Sequence, residues 1–282
     1  MGYHAVKETV RRIPLVGPLA KKAISMLRAM VKWCKRVVSK PTGEADSQKY
    51  IFSRMDTDCC ASDDERLSRQ IQNLLNFTKT SNSRYAAQQF PAAYHTININ
   101  GRKIPGQRDP SQRLASVPFD FRGKTVLDLG CNQGGMMFEI ADLAKWAVGV
   151  DYDPRMINAA NRIADATGAA NTSFYVLDLQ KSPLALISDF LPEQRVDICF
   201  LLSVCAWIDN WQEVIDFAHS KSDSMLFETT GFPEQQQQQI DYLRTRYQVV
   251  DLLAETSEDD PIQKERKLFY LTEPTPIGPR HQ

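Results

Sequence analysis

From Phe119 onward, short apolar runs alternate with amphipathic stretches, and this alternation constrains the fold more than any other feature. Strands are expected at residues 124–130 (KTVLDLG), 146–151 (WAVGVD), 172–178 (TSFYVLD), 196–202 (VDICFLL), 224–228 (SMLFE), 248–253 and 268–272. Helices are expected at 135–144, 154–167, 211–220 and 233–247, the last carrying the Gln run 235–239. Apolar strands separated by helices make a mainly parallel sheet covered on both faces. The last two strands have no helix between them, so they form an antiparallel hairpin at one edge.

The residues before this core read differently. Residues 1–40 hold ten Lys or Arg against one acid, Glu8, although the whole chain has a formal net charge of zero. Within 20–38, Ala23, Ile24, Leu27, Met30, Val31, Cys34 and Val38 recur at helical spacing between basic residues. Segment 4–39 therefore reads as an amphipathic helix broken near Pro14 and Pro18, able to lie on an anionic membrane surface. Residues 40–61 are polar and read as a linker. A helix is expected over 62–80, capped by Asp63 or Asp64, and a short hairpin over 94–103 around Asn100-Gly101. The domain reading is 1–45 basic helical segment, 46–115 helical and loop cap, 116–275 α/β domain, and 276–282 tail.

Six Cys without paired CxxC spacing and four scattered His favour reduced thiols and no metal site. Basic residues interrupt every apolar stretch near the N-terminus, so neither a bilayer span nor a signal-peptide core is expected. The expected location is cytoplasmic, peripheral at the inner face of the membrane.

In an open α/β sheet, ligands sit beyond the carboxyl ends of the strands. The first strand runs into Asp128-Leu129-Gly130-Cys131-Asn132-Gln133-Gly134-Gly135. Gly130 and Gly134 permit a sharp turn and close approach of a ligand. Asp151 and Asp178 end the next two strands. A dinucleotide site wants GxGxxG, and Asn132 stands where its second Gly belongs; a P-loop needs a Gly-Lys-Ser/Thr that this loop lacks.

The stretches VLDLGCNQGGMMFEIA (126–141) and VGVDYDPRMINAA (148–160) resemble motifs I and II of class I S-adenosylmethionine (SAM)-dependent methyltransferases. The resemblance covers about 119–272 and implies that family's seven-stranded Rossmann-like sheet with its antiparallel C-terminal hairpin, here preceded by a helical N-terminal extension. It implies SAM as cofactor. The cofactor-binding set is then Asp128, Gly130, Cys131, Asn132, Gly134, Asp151, Tyr152, Leu177, Asp178, Leu202 and Ser203. Asp128 lies beside the amino-acid end of SAM, Asp151 on the ribose hydroxyls and Asp178 on the adenine amino group. Leu177 offers a backbone donor, and Leu202 and Ser203 contribute backbone from the fourth strand's end. Asn132 stands where many members carry Gly, and Asn tolerates unusual backbone angles.

Methyl transfer needs mainly proximity and alignment, with a base only where a hydroxyl must lose its proton. Relatives often carry His after the fourth strand, but this chain has Ala206 and Trp207. Glu228, ending the fifth strand, is the first candidate base and His95 the second. Arg108 and Arg113, with Trp207, are the candidate substrate residues, because guanidinium groups suit phosphate or carboxylate. LLSV (201–204), the Glu-ending strand LFE, the last strand RKLFYLT (266–272) and RRIPLVGPLAKKA (11–23) partly resemble methyltransferases of bacterial surface-polysaccharide synthesis, including the methyltransferase half of O-antigen chain-terminating enzymes. The layout FPxxYHT…G…D before VLDLGC resembles tRNA wobble-uridine carboxymethyl-transferring enzymes. The expectation is O-methylation of an anionic cell-envelope glycan or lipid-linked sugar at the membrane surface. An RNA-modifying transferase and a non-catalytic SAM-fold binding module are the alternatives.

Overall fold

Five apolar runs become parallel strands; the four inner ones bury residues on both faces, while the edge strand buries mainly Thr172 and Phe174 on one. They are β5 (Thr125–Leu129), β6 (Trp146–Asp151), β7 (Thr172–Val176), β8 (Val196–Leu202) and β9 (Ser222–Glu228). Then β10 (Tyr247–Ala254) and β11 (Leu268–Pro274) complete the sheet, β10 antiparallel to β11 and β11 antiparallel to β9. The strand order is β10-β11-β9-β8-β5-β6-β7. The chain runs outward from β5 to β7 and then returns to the other side of β5, so the topological switch point lies between β5 and β8. A doubly wound sheet binds its ligands at that crevice. The computed structural model describes residues 62–78, 93–257 and 265–276. The expected basic helix over 4–39, the linker 40–61 and residues 277–282 of the tail lie outside them.

Strand periodicity sorts the core into two layers. Val126, Ala147, Ile198, Phe200 and Leu226 face one cluster, while Leu127, Leu129, Val148, Val150, Cys199 and Leu201 face the other. The first face is covered by α1 (Asp63–Thr78), α3 (Gly135–Ile140) and α4 (Pro154–Thr167), and the second by α5 (Trp211–Lys221) and α6 (Pro233–Leu243). The amphipathic α1 buries Ile71 and Leu75, and its cap is Ser62 rather than Asp63 or Asp64: the Ser62 hydroxyl accepts from Glu65 N–H at 3.3 Å.

Between α1 and the sheet lie four strands of three residues and the short α2 (Pro110–Leu114). Strands β2 (Ile97–Ile99) and β3 (Arg102–Ile104) form the expected hairpin, with Asn100 at φ 50° and Gly101 at φ 72° in its turn. Both positive angles suit the turn type whose twist matches paired strands. The pairing of β1 (Ala93–His95) with β4 (Gly106–Arg108), parallel and with His95 opposite Arg108, has no counterpart in the sequence pattern.

Two helices end before their expected limits. Helix α3 stops at Ile140 because the next carbonyls are taken from outside: Asn171 Nδ2 donates to the Ala141 and Ala144 carbonyls at 2.8 Å each, and Gly123 N–H to that of Leu143 at 2.9 Å. Helix α6 stops at Leu243 because Tyr247 is drawn into β10, where it is 2% exposed. Among the described residues no helix is long and apolar enough to cross a membrane.

Candidate functional site

The loop after β5 is tied to its neighbour strand by its own backbone. Gly130 and Cys131 N–H both donate to the Val150 carbonyl, at 2.8 and 3.0 Å. The turn then needs three residues in the left-handed region: Gly130 (φ 92°), Asn132 (φ 52°) and Gly134 (φ 79°). A Cβ on Gly130 would meet Val204 Cγ2 at 2.6 Å, so only Gly closes the loop against the turn after β8. Asn132 tolerates its angle because its Oδ1 accepts from Gln133 N–H at 2.9 Å. Cys131 is buried against Gly149, and burial pushes its thiol up, so it lines the loop from behind as an unreactive side chain.

The acids at the ends of β5 and β6 are brought together. Asp128 is 2% exposed and Asp151 8%. Asp151 Oδ2 accepts from Asn132 N–H at 3.0 Å, and its Oδ1 accepts from Asp153 N–H at 2.9 Å. Burial first, and then the neighbouring Asp151, pushes Asp128 up to about 8; burial likewise raises Asp151, against the pull of its backbone hydrogen bonds. Among the described residues no Lys or Arg pairs with either. Two coupled, buried acids beside close-approach backbone have the chemistry to accept a positively charged or hydroxyl-bearing group.

Asp178 is not part of that pair. Strand β7 ends at Val176, and Asp178 opens a turn in which its Oδ1 accepts from the N–H groups of Gln180 (3.0 Å) and Lys181 (3.3 Å). Lys181 Nζ sits 3.1 Å from its other oxygen, and that bond, ahead of the backbone ones, holds the carboxyl low. Leu177 does not offer a free donor, because its N–H donates to the Asp151 carbonyl at 2.9 Å. Tyr152 follows Asp151 with 71% of its surface exposed, and Trp207 stands 58% exposed in the 3₁₀ turn Cys205–Trp207. Both therefore flank the carboxyl edge of the sheet.

Glu228 ends β9 at that same edge, and the structure closes it in. It is 1% exposed. Arg108 reaches it twice, at 2.8 and 3.2 Å, Arg113 at 2.8 Å and Arg266 at 3.7 Å, while the Ser257 hydroxyl donates at 2.7 Å. Arg266 also donates to the Ser203 hydroxyl at 2.9 Å, and Ser203 N–H donates to the Glu228 carbonyl at 3.1 Å, with Ser203 itself at φ 61°. Closed off from solvent and bracketed by guanidinium groups, Glu228 is placed as a charge anchor rather than as a base open to an acceptor. Arg108 and Arg113, expected to meet substrate, are instead 1% and 5% exposed and turned onto Glu228. His95 is 7% exposed, with Nδ1 sealed and unpartnered. Burial, and then Arg108, pushes it down to about 3. It is a neutral imidazole that resists taking a proton.

Other side chains that shape the site carried no local signal. Gln133, inside the loop, is fully buried: its Oε1 accepts from Tyr94 N–H at 3.0 Å and its Nε2 donates to the Thr78 hydroxyl. Of the Gln run, Gln236 and Gln239 hold the loop after Glu228, through Thr229 Oγ1 (2.6 Å) and both backbone groups of Thr230 (3.1 and 2.9 Å). Among the described residues no three His, Cys, Asp or Glu side chains group as metal ligands.

Residues 120–227 match the family described as Methyltransferase domain. The chain is 43% identical over 53 residues to ribosomal protein L11 methyltransferase from Actinobacillus pleuropneumoniae, which covers 18% of each protein. It is 44% identical over 68 residues to the 7SK snRNA methylphosphate capping enzyme of Mus musculus, covering 21% of this chain and 10% of that one. The chain thus spans less than a fifth of the length of these curated relatives. Among solved structures, the N-terminal domain of EvdMO1 in the presence of SAH and D-fucose superposes with a TM-score of 0.52 at 12% identity, over 76% of this chain and 98% of that one. SAM is the cofactor of this fold class, and the paired acids and left-handed turn fit its cationic end and ribose. The seven-stranded sheet and the matched segment give residues 120–227 the fold and the sequence match of a methyltransferase domain.

Proposed function

We propose that this protein methylates an anionic oxygen, phosphate or carboxylate, on a cell-envelope glycan or lipid-linked sugar at the cytoplasmic membrane surface. The observation that carries the methyl-transfer reading is the Asp128–Asp151 pair, buried at adjacent strand ends with no basic partner among the described residues. SAM supplies an electrophilic methyl on a sulfonium; the new C–O bond forms as the C–S bond breaks, and the thioether leaves. In this reading Asp128 faces the ammonium end, and Asp151 takes the ribose hydroxyls beside the two N–H groups it already accepts. Cys131, Asn132 and Gly134 shape the loop, Tyr152 and Asp178 flank the adenine side, and Leu202 and Ser203 close the opposite wall.

The acceptor class follows from the bases. Glu228 is held by guanidinium groups, and His95 resists protonation. An acceptor that arrives already ionised needs neither. The short match to a methylphosphate capping enzyme agrees with an acidic oxygen. The basic segment 4–39 then holds the protein on anionic lipid, 46–115 caps the substrate side, and 116–275 does the chemistry.

Calorimetry with SAM tests the first part: binding is expected, weakened at least about tenfold by Asp151→Ala. Absence of heat would replace the enzyme by a non-catalytic module. Methyl transfer to phosphorylated or uronic sugars is expected without proton release; one proton per methyl would sink the ionised-acceptor reading. Flotation with anionic liposomes, with and without residues 1–40, tests the membrane contact. Salt-sensitive RNA binding with no flotation would substitute an RNA acceptor.

A further inference from the structure

Gln133 lies in the middle of the loop after β5, and its fully buried side chain is spent on protein partners. Both ends of its amide are used, on residues 39 and 55 positions earlier in the chain: Tyr94 N–H on β1 and the Thr78 hydroxyl at the end of α1. Thr78 is fixed in turn, donating to the Leu75 carbonyl at 2.6 Å. On the other side, the loop is held to the cofactor acid, with Asn132 N–H on Asp151 Oδ2 and Gln133 N–H on Asn132 Oδ1.

These bonds join into one path. It runs from Asp151 through Asn132 and Gln133 to Tyr94. Arg108 Nη1 then donates to the Tyr94 hydroxyl at 3.3 Å, and Arg108 Nη2 to Glu228 at 2.8 Å. Strand pairing runs alongside: Thr96 N–H donates to the Arg108 carbonyl at 2.7 Å. Every link is a hydrogen bond between groups that are buried or half-buried, where such bonds are strong and their loss is expensive.

The geometry points to Gln133 as a positioning residue that relays cofactor occupancy at Asp151 to the strands carrying Tyr94 and Arg108, so that the cofactor orders the acceptor side. This rests on the cofactor reading above. Ribose hydroxyls on Asp151 fix the carboxylate that holds Asn132, which fixes Gln133 and, through it, β1 and β4. Coupling of this kind is a free-energy linkage between two sites, and needs a demonstrated response at the second.

Hydrogen exchange of the full chain, with and without S-adenosylhomocysteine (SAH), supplies that response. In the wild type SAH is expected to slow exchange over 93–108 as well as over 128–152. Gln133→Met keeps side-chain length but not the hydrogen bonds. It should bind SAH within about threefold of wild type while losing the SAH-dependent slowing over 93–108. A purely structural role would raise exchange there equally with and without SAH. Protection confined to 128–152 in the wild type, or retained over 93–108 in Gln133→Met, overturns the relay. If that variant does not fold, Thr78→Val releases the other end of the same amide. The SAH-dependent slowing over 93–108 should then shrink by at least about twofold, and an unchanged pattern overturns the relay. A wild type that gives no heat with SAH and no exchange change anywhere sinks the cofactor reading and the relay with it.

Discussion

Asp128 and Glu228 each sit at the carboxyl end of a strand in one sheet, 2% and 1% exposed, in opposite electrostatic surroundings. Around Asp128 the nearest charge is another acid, and burial pushes the carboxyl up to about 8. Around Glu228 three guanidinium groups converge. Burial and position at a strand tip therefore do not separate the acid proposed to bind a ligand from a structural one. The surrounding charge does: an acid without a cation is a site waiting for one, while an acid saturated with cations is an anchor.

The harshest way to break this contrast is Glu228→Gln, which takes a shared negative charge from three buried guanidinium groups. A loss of about 3–5 kcal/mol is expected by urea denaturation. Asp128→Asn should move stability the other way. The folded value near 8 lies above that of an unfolded Asp, so the stability linked to this proton is complete below about pH 4 and is lost as pH rises toward 8. The ligand-free variant should exceed wild type by about 2–4 kcal/mol at pH 8, with the gap closing near pH 4, while SAM binding is lost. Denaturation curves across that range, read beside SAM calorimetry, check both signs. In the wild type, SAM affinity should fall as pH drops from 8 to 6, because a protonated Asp128 offers no charge to a cation.

Gly130→Ala probes the seam between the two regions, where the cofactor loop meets the turn after β8. Its new methyl meets Val204 in a left-handed backbone, at a cost of about 1–3 kcal/mol and with weakened SAM binding. The smallest effect is expected from Asn132→Gly, which keeps the backbone angle and gives up one half-buried hydrogen bond. Thermal denaturation should show a loss under about 1 kcal/mol. A larger loss would mean that Asn132 holds the loop to Asp151 by more than backbone conformation.

Much of this was legible in the residues. The strands were readable because each buried run is apolar by itself, and the Asn100-Gly101 turn because its chemistry is local. The acids at 128 and 151 were readable because strand ends converge at a known edge of such a sheet. Asp178 was misplaced by a shift of two residues at the end of β7. Leu177 was misassigned because its partner, the Asp151 carbonyl, lies on the neighbouring strand. Glu228 was read as a base because its chief partner, Arg108, lies 120 residues earlier in the chain, and nothing local announces a contact at that distance.

By itself, the sequence determined the alternation of strand and helix, the left-handed turn after β5 and the placing of acids at strand ends. These depend on apolar period and backbone conformation, which a few neighbouring residues settle. Only the tertiary structure decided which acid is left without a cation and which is surrounded by them. It also decided that Gln133 faces inward and that β1 pairs with β4. Charge pairing and burial depend on distances through space, and chain separations of 39 to 120 residues carry no trace of those distances until the fold closes.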